Sequence, residues 1–83
     1  MYKLVFDKKV IKDLKQIDSV WQKKILDKIN EVLVTVPYDG KHLVGNMSNF
    51  YRIRVGDYRI IYEIIDDIVT VEIIKIAHRR EVY

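Results

Sequence analysis

A tight β-hairpin is indicated by residues 51–62, which read Tyr51-Arg52-Ile53-Arg54-Val55-Gly56-Asp57-Tyr58-Arg59-Ile60-Ile61-Tyr62. If Gly56 and Asp57 are the two central residues of a primed turn, Arg54 lies directly opposite Arg59. Side chains alternate between the two faces of a strand, so Arg52 shares that face. The hairpin is therefore predicted to be apolar on one face and cationic on the other.

The cationic face has two interpretations. Charged side chains on the outer face of an antiparallel strand are usually just solvated. Like charges directly opposite each other destabilise a ladder, however, and guanidinium groups bind phosphate through paired hydrogen bonds. The pattern favours a phosphate-binding surface, with a solvated face as the alternative.

Composition limits the classes of protein to which the chain can belong. Its 83 residues, 49% of them hydrophobic, are expected to form one domain over residues 1–83. The absence of cysteine excludes disulfides and fits a cytoplasmic protein, and charges interrupt the most apolar segment, residues 60–77, so no membrane span is expected. A formal net charge of +3 permits a nucleic-acid partner.

No cofactor or metal is expected. The two histidines, His42 and His78, are far apart in sequence, and no His/Asp/Glu cluster has the spacing of metal ligands. A glycine-rich phosphate loop and a nucleophile elbow are both absent from the sequence.

Hydrophobic periodicity predicts an α+β domain with the order β-α-α-β-β-β. Asp7 is predicted to cap the first helix, Ser19 with Gln22 to form a capping box for the second, and Pro37 to end it. The helix hairpin is expected to cover one face of a small antiparallel sheet. Strands are predicted over residues 2–6, 49–55, 58–65 and 68–77.

The last two strands are predicted to join at a second tight turn, with Asp66 and Asp67 as its central residues. Ile65 then faces Ile68, and Arg59 faces Ile74. This register places five residues of the last strand on the arginine face: Thr70, Glu72, Ile74, Ile76 and His78. The opposite face, with Val69 and the apolar residues around it, is expected to carry the helices.

A second cluster follows the last strand, Ala77-His78-Arg79-Arg80-Glu81-Val82-Tyr83. A tail at the end of a strand can reach the open face and bring an imidazole, guanidiniums and a phenol to the arginines. The alternative is a frayed, solvated terminus.

The hairpin and the tail together resemble the RelE/ParE superfamily of toxins from type II toxin–antitoxin systems, most closely its RelE-like branch. The resemblance covers the whole chain. It implies a toxin that cleaves mRNA in the ribosomal A site without metal and that a cognate antitoxin wraps and neutralises. mRNA, the ribosome and the antitoxin are thus the expected partners.

The resemblance also implies roles for individual residues. Arg59 matches the arginine that stabilises the phosphate, and Arg79 the tail arginine assigned to leaving-group protonation or transition-state charge. Tyr83 matches a tyrosine that stacks on or orients the substrate, and Arg52 and Arg54 occupy the two basic strand positions. Together with Arg80, these two strand arginines are also expected to bind RNA.

The proton acceptor for the 2′-hydroxyl is a separate question. Related toxins carry lysine at one or both strand positions, whereas arginine is a poor general base. His78 is the better candidate here, with Tyr83 behind it, and water or an rRNA phosphate are further alternatives.

Two other functions stay open at this point. ParE-like members of the superfamily inhibit DNA gyrase and generally lack the Arg59, Arg79 and Tyr83 constellation. A non-catalytic module that binds only an antitoxin segment or nucleic acid is the other alternative.

Overall fold

The structure, a computed structural model, describes residues 1–80. Two helices and five strands occur in this part of the chain: β1 (Lys3–Phe6), α1 (Lys8–Lys15), α2 (Ser19–Lys28), β2 (Lys41–His42), β3 (Phe50–Val55), β4 (Tyr58–Ile65) and β5 (Thr70–His78). None of the helices between residues 1 and 80 has the length and apolar character needed to cross a bilayer.

Aspartate side chains begin both helices. Asp7 caps α1 as predicted, accepting the Lys9 N–H at 3.0 Å. The predicted cap of α2 is wrong by one residue, because Asp18 rather than Ser19 accepts the Val20 N–H, at 3.2 Å. An ionised carboxylate satisfies a free N–H at a helix start and complements the helix dipole there.

The core forms between α2, its continuation and one face of the sheet. After α2 the chain makes a single π-helical turn, Ile29–Leu33. Ile25, Ile29 and Leu33, which follow one another at intervals of four residues, all point into the core. The fully buried residues of this layer are Val10, Ile25, Ile29, Leu33, Ile60, Tyr62, Val71 and Ile73. Tyr62 also satisfies its polar end, since its Oη donates to the Pro37 carbonyl at 2.6 Å.

The sheet has the order β1-β5-β4-β3-β2. The predicted α+β arrangement, with a helix hairpin on one face, is confirmed. The sheet is mixed rather than wholly antiparallel, because β1 pairs parallel to β5 while the other neighbours are antiparallel. The short edge strand β2 is an addition to the predicted order.

The turn between β4 and β5 differs from its prediction. A 3₁₀ turn, Asp66–Ile68, replaces the two-residue turn, and Val69 follows in the left-handed region at φ 47°. Ile65 therefore pairs with Thr70 rather than Ile68. Val69, expected on the helix face of the strand, lies in this turn and is half-exposed.

A β-bulge then changes the faces of β5. Tyr62 pairs with Ile73 but Ile61 pairs with Lys75, so Ile74 is an extra residue on β5. One extra residue reverses which face every later side chain occupies. Thr70 and Glu72, which precede the bulge, lie on the arginine face as predicted.

Residues after the bulge are on the opposite face from the predicted one. Arg59 pairs with Ala77, not with Ile74. Ile76 consequently joins the core beneath the helices, and His78, which pairs with Tyr58, also lies on the helix side.

A tyrosine clamp, Tyr2, Tyr38 and Asp66, joins three segments at the end of the sheet where β4 passes into β5. The Tyr2 Oη donates to Asp66 Oδ1 at 2.8 Å, and the Tyr38 Oη donates to Asp66 Oδ2. The hydrogen bond to Asp66 raises the pKa of Tyr38 to about 12, and the bond from Tyr38 lowers the pKa of Asp66.

Candidate active site

The hairpin of β3 and β4 has the predicted register. Gly56 adopts φ 57°, which supplies the positive dihedral at the first central position of the turn. Arg54 pairs with Arg59, and Arg52 pairs with Ile61. The three arginines therefore share the face of the sheet that is opposite to the helices.

Trp21 of α2 packs over the turn from the helix side. A Cβ atom on Gly56 would lie 2.3 Å from Trp21 Cη2, so only glycine fits beneath the indole. The ring centroid of Trp21 lies 5.9 Å from that of Tyr58, and Lys24 Nζ lies 4.5 Å from the indole centroid. These contacts hold the turn, and with it the positions of the two paired arginines.

A cavity of about 140 Å³ opens at the turn. Three guanidinium-bearing residues reach it from different positions in the sequence: Arg54 at the end of β3, Arg59 at the start of β4, and Arg79 just after β5. Arg59 is half-buried, with its Nε atom buried, whereas Arg54 and Arg79 are exposed. Gly56, Asp57 and Tyr58 complete the lining.

Asp57 holds Arg79 in this cavity. The Arg79 N–H donates to the Asp57 carbonyl at 2.7 Å, which ties the residue after β5 to the hairpin turn. The side chains also meet, with Arg79 Nε 3.6 Å from Asp57 Oδ1. The expectation that the tail reaches the arginine hairpin is therefore met for Arg79.

His78 lies beside the cavity on the other side of the sheet, so its predicted placement on the arginine face is wrong. Its ring packs edge-on against Tyr58, with centroids 5.3 Å apart. The Arg80 N–H donates to His78 Nδ1 at 3.2 Å, and Nε2 lies 4.0 Å from Asp57 Oδ2.

A second cavity of about 240 Å³, on the helix side, includes His78 in its lining. Asp13, Gln16 and Ile17 from α1 and its end form one wall, and Tyr58 and Ile76 from the sheet form another. This cavity is separate from the arginine-lined one, although Tyr58 contributes to both.

The remaining predicted site residues are placed less centrally. Arg52 lies in a groove of about 330 Å³ next to the cavity at the turn. The charged residues that line this groove are four basic ones and one acidic one: Lys28, Lys41, Arg52, Arg54 and Asp39. Arg80 is exposed beyond the end of β5. Tyr83 lies outside the described residues.

Asp57 is the residue that sequence reasoning overlooked. Its position in a Gly-Asp turn already accounts for an aspartate, so no further role was assigned to the side chain. Among the described residues that line the arginine cavity, it is the one that carries a carboxylate. The signal in the sequence was its place between two arginines, three residues after Arg54 and two before Arg59.

Within residues 1–80, no group of three His, Asp or Glu side chains is arranged to hold a metal ion. The described residues that line the cavity include three with guanidinium groups and one with a carboxylate. Such a group can bind a phosphodiester and stabilise extra negative charge on it.

Comparison with known proteins identifies the family. Residues 4–83 match the family model described as the ParE toxin of type II toxin–antitoxin systems. The chain belongs to this toxin family. The relationship expected from the hairpin and tail is thereby confirmed.

Individual relatives of this toxin family carry the RelE name. The chain is 36% identical to toxin RelE3 of Methanocaldococcus jannaschii, over 98% of this chain and 94% of that protein. It is 31% identical to the mRNA interferase toxin RelE of Escherichia coli, over 99% of this chain and 90% of that protein.

Solved structures of RelE toxins share the fold. The isolated E. coli RelE toxin superposes with a TM-score of 0.80 at 30% identity, covering 94% of this chain and 84% of that one. The toxin in the RelE–RelB complex from Pyrococcus horikoshii OT3 superposes with a TM-score of 0.79 at 26% identity, covering 96% and 97%. The architecture of the sheet and the helix hairpin is thus shared with RelE toxins at the level of the backbone.

Proposed function

We propose that the chain is the toxin of a type II toxin–antitoxin system and that it cleaves mRNA in the ribosomal A site, inhibiting translation. The observation that carries this proposal is the cavity at the hairpin turn, into which Arg54, Arg59 and Arg79 converge. The names of its relatives, mRNA interferase toxins, support the same activity. A ribosomal target implies action in the cytoplasm.

The proposed reaction is an internal transfer at the phosphodiester. The 2′-oxygen attacks phosphorus, a dianionic phosphorane forms, and the 5′-oxygen leaves to give a 2′,3′-cyclic phosphate and a 5′-hydroxyl. Arg54 and Arg59 are proposed to bind the phosphorane oxygens from the hairpin, and Arg79 from the residue after β5; all three line the cavity. Fixed cationic donors lower the barrier most where charge develops. The guanidinium groups of the chain are proposed to stabilise this charge, and the proposed mechanism uses no metal.

Flanking RNA is proposed to follow the basic groove next to the cavity. Arg52, Lys28 and Lys41 line this groove together with Arg54, which also reaches the cavity. Arg80 extends the positive charge beyond β5, and Tyr83 is proposed to stack on a base, a contact worth about 1–3 kcal/mol. These residues position the substrate rather than react with it.

The resting partner is proposed to be a cognate antitoxin. The structural relatives include RelE toxins bound to RelB antitoxins from archaea and bacteria. An antitoxin that covers a cationic cavity of this kind is expected to present acidic side chains to it.

Substitution of two cavity arginines tests the activity. Expression of the wild-type chain is expected to arrest translation and to leave mRNA ends within ribosome-bound codons, mapped by primer extension. Arg59→Ala combined with Arg79→Ala is expected to keep the fold, checked by circular dichroism, and to lower cleavage by at least about 100-fold. Lys8→Ala with Lys9→Ala removes the same charge from the exposed start of α1 and is expected to leave cleavage unchanged.

Gyrase inhibition is the second candidate, because the matching family model carries the ParE name. If wild-type expression stalls replication and leaves mRNA whole, that function replaces the one proposed. If neither process is affected and the cavity binds only an acidic peptide, the chain is a non-catalytic module.

A further inference from the structure

The proposed cleavage needs a group that accepts the 2′-hydroxyl proton. The residues at the cavity limit which side chain can be that group. A guanidinium has no acceptor atom, which excludes Arg54, Arg59 and Arg79. The side chain of Tyr58 is engaged on the helix side, between Trp21 and His78.

His78 is poorly placed for this task. Its Nδ1 accepts the Arg80 N–H, so the neutral ring carries its proton on Nε2. A ring in that state has no free acceptor nitrogen. It also lies on the helix side of the sheet, across Tyr58 from the arginines.

We propose that Asp57 is the general base of the reaction, an inference that rests on the proposed ribonuclease function. Asp57 lines the cavity together with all three arginines, and its carboxylate lies 3.6 Å from Arg79 Nε. The side chain is 57% exposed, so a substrate hydroxyl can reach it. An ionised carboxylate offers acceptor lone pairs on both oxygens, so one oxygen can contact protein while the other faces the substrate.

The surroundings of Asp57 fix where its carboxylate lies. Its backbone is held by the glycine turn and by the 2.7 Å hydrogen bond from the Arg79 N–H. Oδ1 lies 3.6 Å from Arg79 Nε, and Oδ2 lies 4.0 Å from His78 Nε2. Arg79 and His78 therefore act as positioning residues for the carboxylate. Among the described residues, Arg54 and Arg59 are the other charged ones that line the cavity.

The 2′-hydroxyl proton passes to a carboxylate oxygen of Asp57 as the bond from the 2′-oxygen to phosphorus forms. The bond from phosphorus to the 5′-oxygen then breaks, and the 5′-oxygen takes a proton from water while Arg79 offsets its charge. Asp57 returns its proton to solvent. No oxidant, reductant or further reactant is consumed.

Single-turnover cleavage of a synthetic mRNA on programmed ribosomes tests this assignment. Asp57→Asn keeps the size and removes the proton acceptor, and we expect the cleavage rate constant to fall by about 10²–10⁴-fold. Binding to the same mRNA with a 2′-deoxy sugar at the cut site, which cannot react, is expected to be at least as tight as for the wild type. Asp67→Asn, an exposed aspartate at the other end of β4, is the matched control and should cleave normally.

A substrate with a sulfur leaving group distinguishes two possible roles of Asp57. One is the general base, and the other is a residue that only positions Arg79. When sulfur replaces the 5′-oxygen, departure needs little help, because thiolates leave more readily than alkoxides. The general-base assignment predicts that Asp57→Asn loses the same factor on this substrate as on the normal one. Arg79→Ala, in contrast, is expected to recover much of its loss.

Chemical rescue provides an independent readout. Asp57→Ala leaves room for a small carboxylate, and added formate is expected to raise its cleavage rate in proportion to concentration. Rescue by formate supports the assignment, whereas a normal rate for Asp57→Asn, or a defect that vanishes with the sulfur leaving group, overturns it. A wild-type chain that leaves the programmed mRNA intact refutes the ribonuclease function itself, whatever the variants do.

Discussion

Gly56 meets two separate demands at the hairpin turn. Its φ of 57° is costly for any residue with a Cβ atom, and Trp21 occupies the space that such an atom would need. The indole of α2 thus depends on the absence of a side chain in the turn between β3 and β4. The helix layer and the arginine cavity meet at this one residue.

A comparison of Gly45 and Gly56 separates the cost of a positive φ from the cost of crowding against Trp21. Gly45→Ala is expected to cost about 1–2 kcal/mol, because Gly45 has φ 68° but has nothing within 4 Å of its would-be Cβ. Gly56→Ala is expected to cost a further 1–3 kcal/mol or so from overpacking against Trp21. Urea unfolding measures both changes, and equal losses for the two variants would show that the indole moves aside freely.

At the scale of residues, the positions of the charged side chains were predictable where a short turn sets the register of the strands. The two-residue Gly56-Asp57 turn leaves one possible pairing, so Arg54 and Arg59 were predicted opposite each other. His78 was misplaced because one extra residue, Ile74, separates it from the predicted register. A bulge of this kind has no strong local pattern, since Ile73 and Ile74 are both apolar and suit either face.

At the scale of elements, the tyrosine clamp ties β1, the turn that begins at Pro37 and the β4–β5 turn to one carboxylate, Asp66. The clamp lies at the opposite end of β4 from the arginine cavity. In this turn, which is longer than the predicted two residues, Asp66 faces both Tyr2 and Tyr38 while the chain reverses.

The clamp is expected to make stability depend on alkaline pH. The pKa of Tyr38 is raised from 10.0 to about 12, so its contribution is complete below pH 10 and is lost as the pH rises through about 12. Asp66→Asn removes the charged acceptor, and its unfolding free energy should fall less steeply across this window than that of the wild type. Urea titrations between pH 9 and 12 measure the difference.

Two comparisons make this measurement specific. Burial also raises the pKa of Tyr62 to about 12, so Asp66→Asn should retain part of the slope. Asp67→Asn, next to it in the turn, should behave as the wild type does. At acidic pH the dependence of stability on pH has the opposite sign. The pKa of Asp66 is lowered, so its contribution to stability is present above the ordinary pKa range of a carboxyl group and is lost as the pH falls below that range.

At the scale of the whole molecule, charge is divided between two surfaces. Most lysines lie on α1 and α2, and Lys28 and Lys41 line the groove beside Arg52, whereas the arginines gather on the open sheet face and just after β5. Lysines spread over helix surfaces suit solvation, whereas arginines gathered on one face suit the binding of a polyanion that runs along this face. Binding of RNA to the second surface should therefore depend on salt through the arginines.

Salt dependence of binding to the uncleavable mRNA on ribosomes tests this division. Arg52→Gln is expected to reduce the slope of log K against log salt concentration by about 0.7–1, because one phosphate contact is lost. The same change at Lys9, on the exposed surface of α1, should leave the slope as it is. A similar change for both variants would mean that overall charge, rather than the groove, controls binding.

The general architecture was predictable because apolar spacing distinguishes helices from strands along most of the chain. The pairing of β1 was not predictable in the same way. No tight turn connects its four residues to a neighbouring strand, so the sequence does not indicate with which strand it pairs. Its partner, β5, lies at the far end of the described chain. Contacts between distant segments are decided by the packing of the finished core rather than by local pattern.

The position of β1 has a consequence for how the native state fluctuates. Within the described residues this strand lies at an edge of the sheet and has one neighbouring strand, β5, whereas the β3–β4 hairpin is held by its own turn, by Trp21 and by strands on both sides. Partial opening should release β1 first, and its amides should exchange with solvent before those of the hairpin. The arginine cavity can thus keep its shape through excursions that detach the first strand.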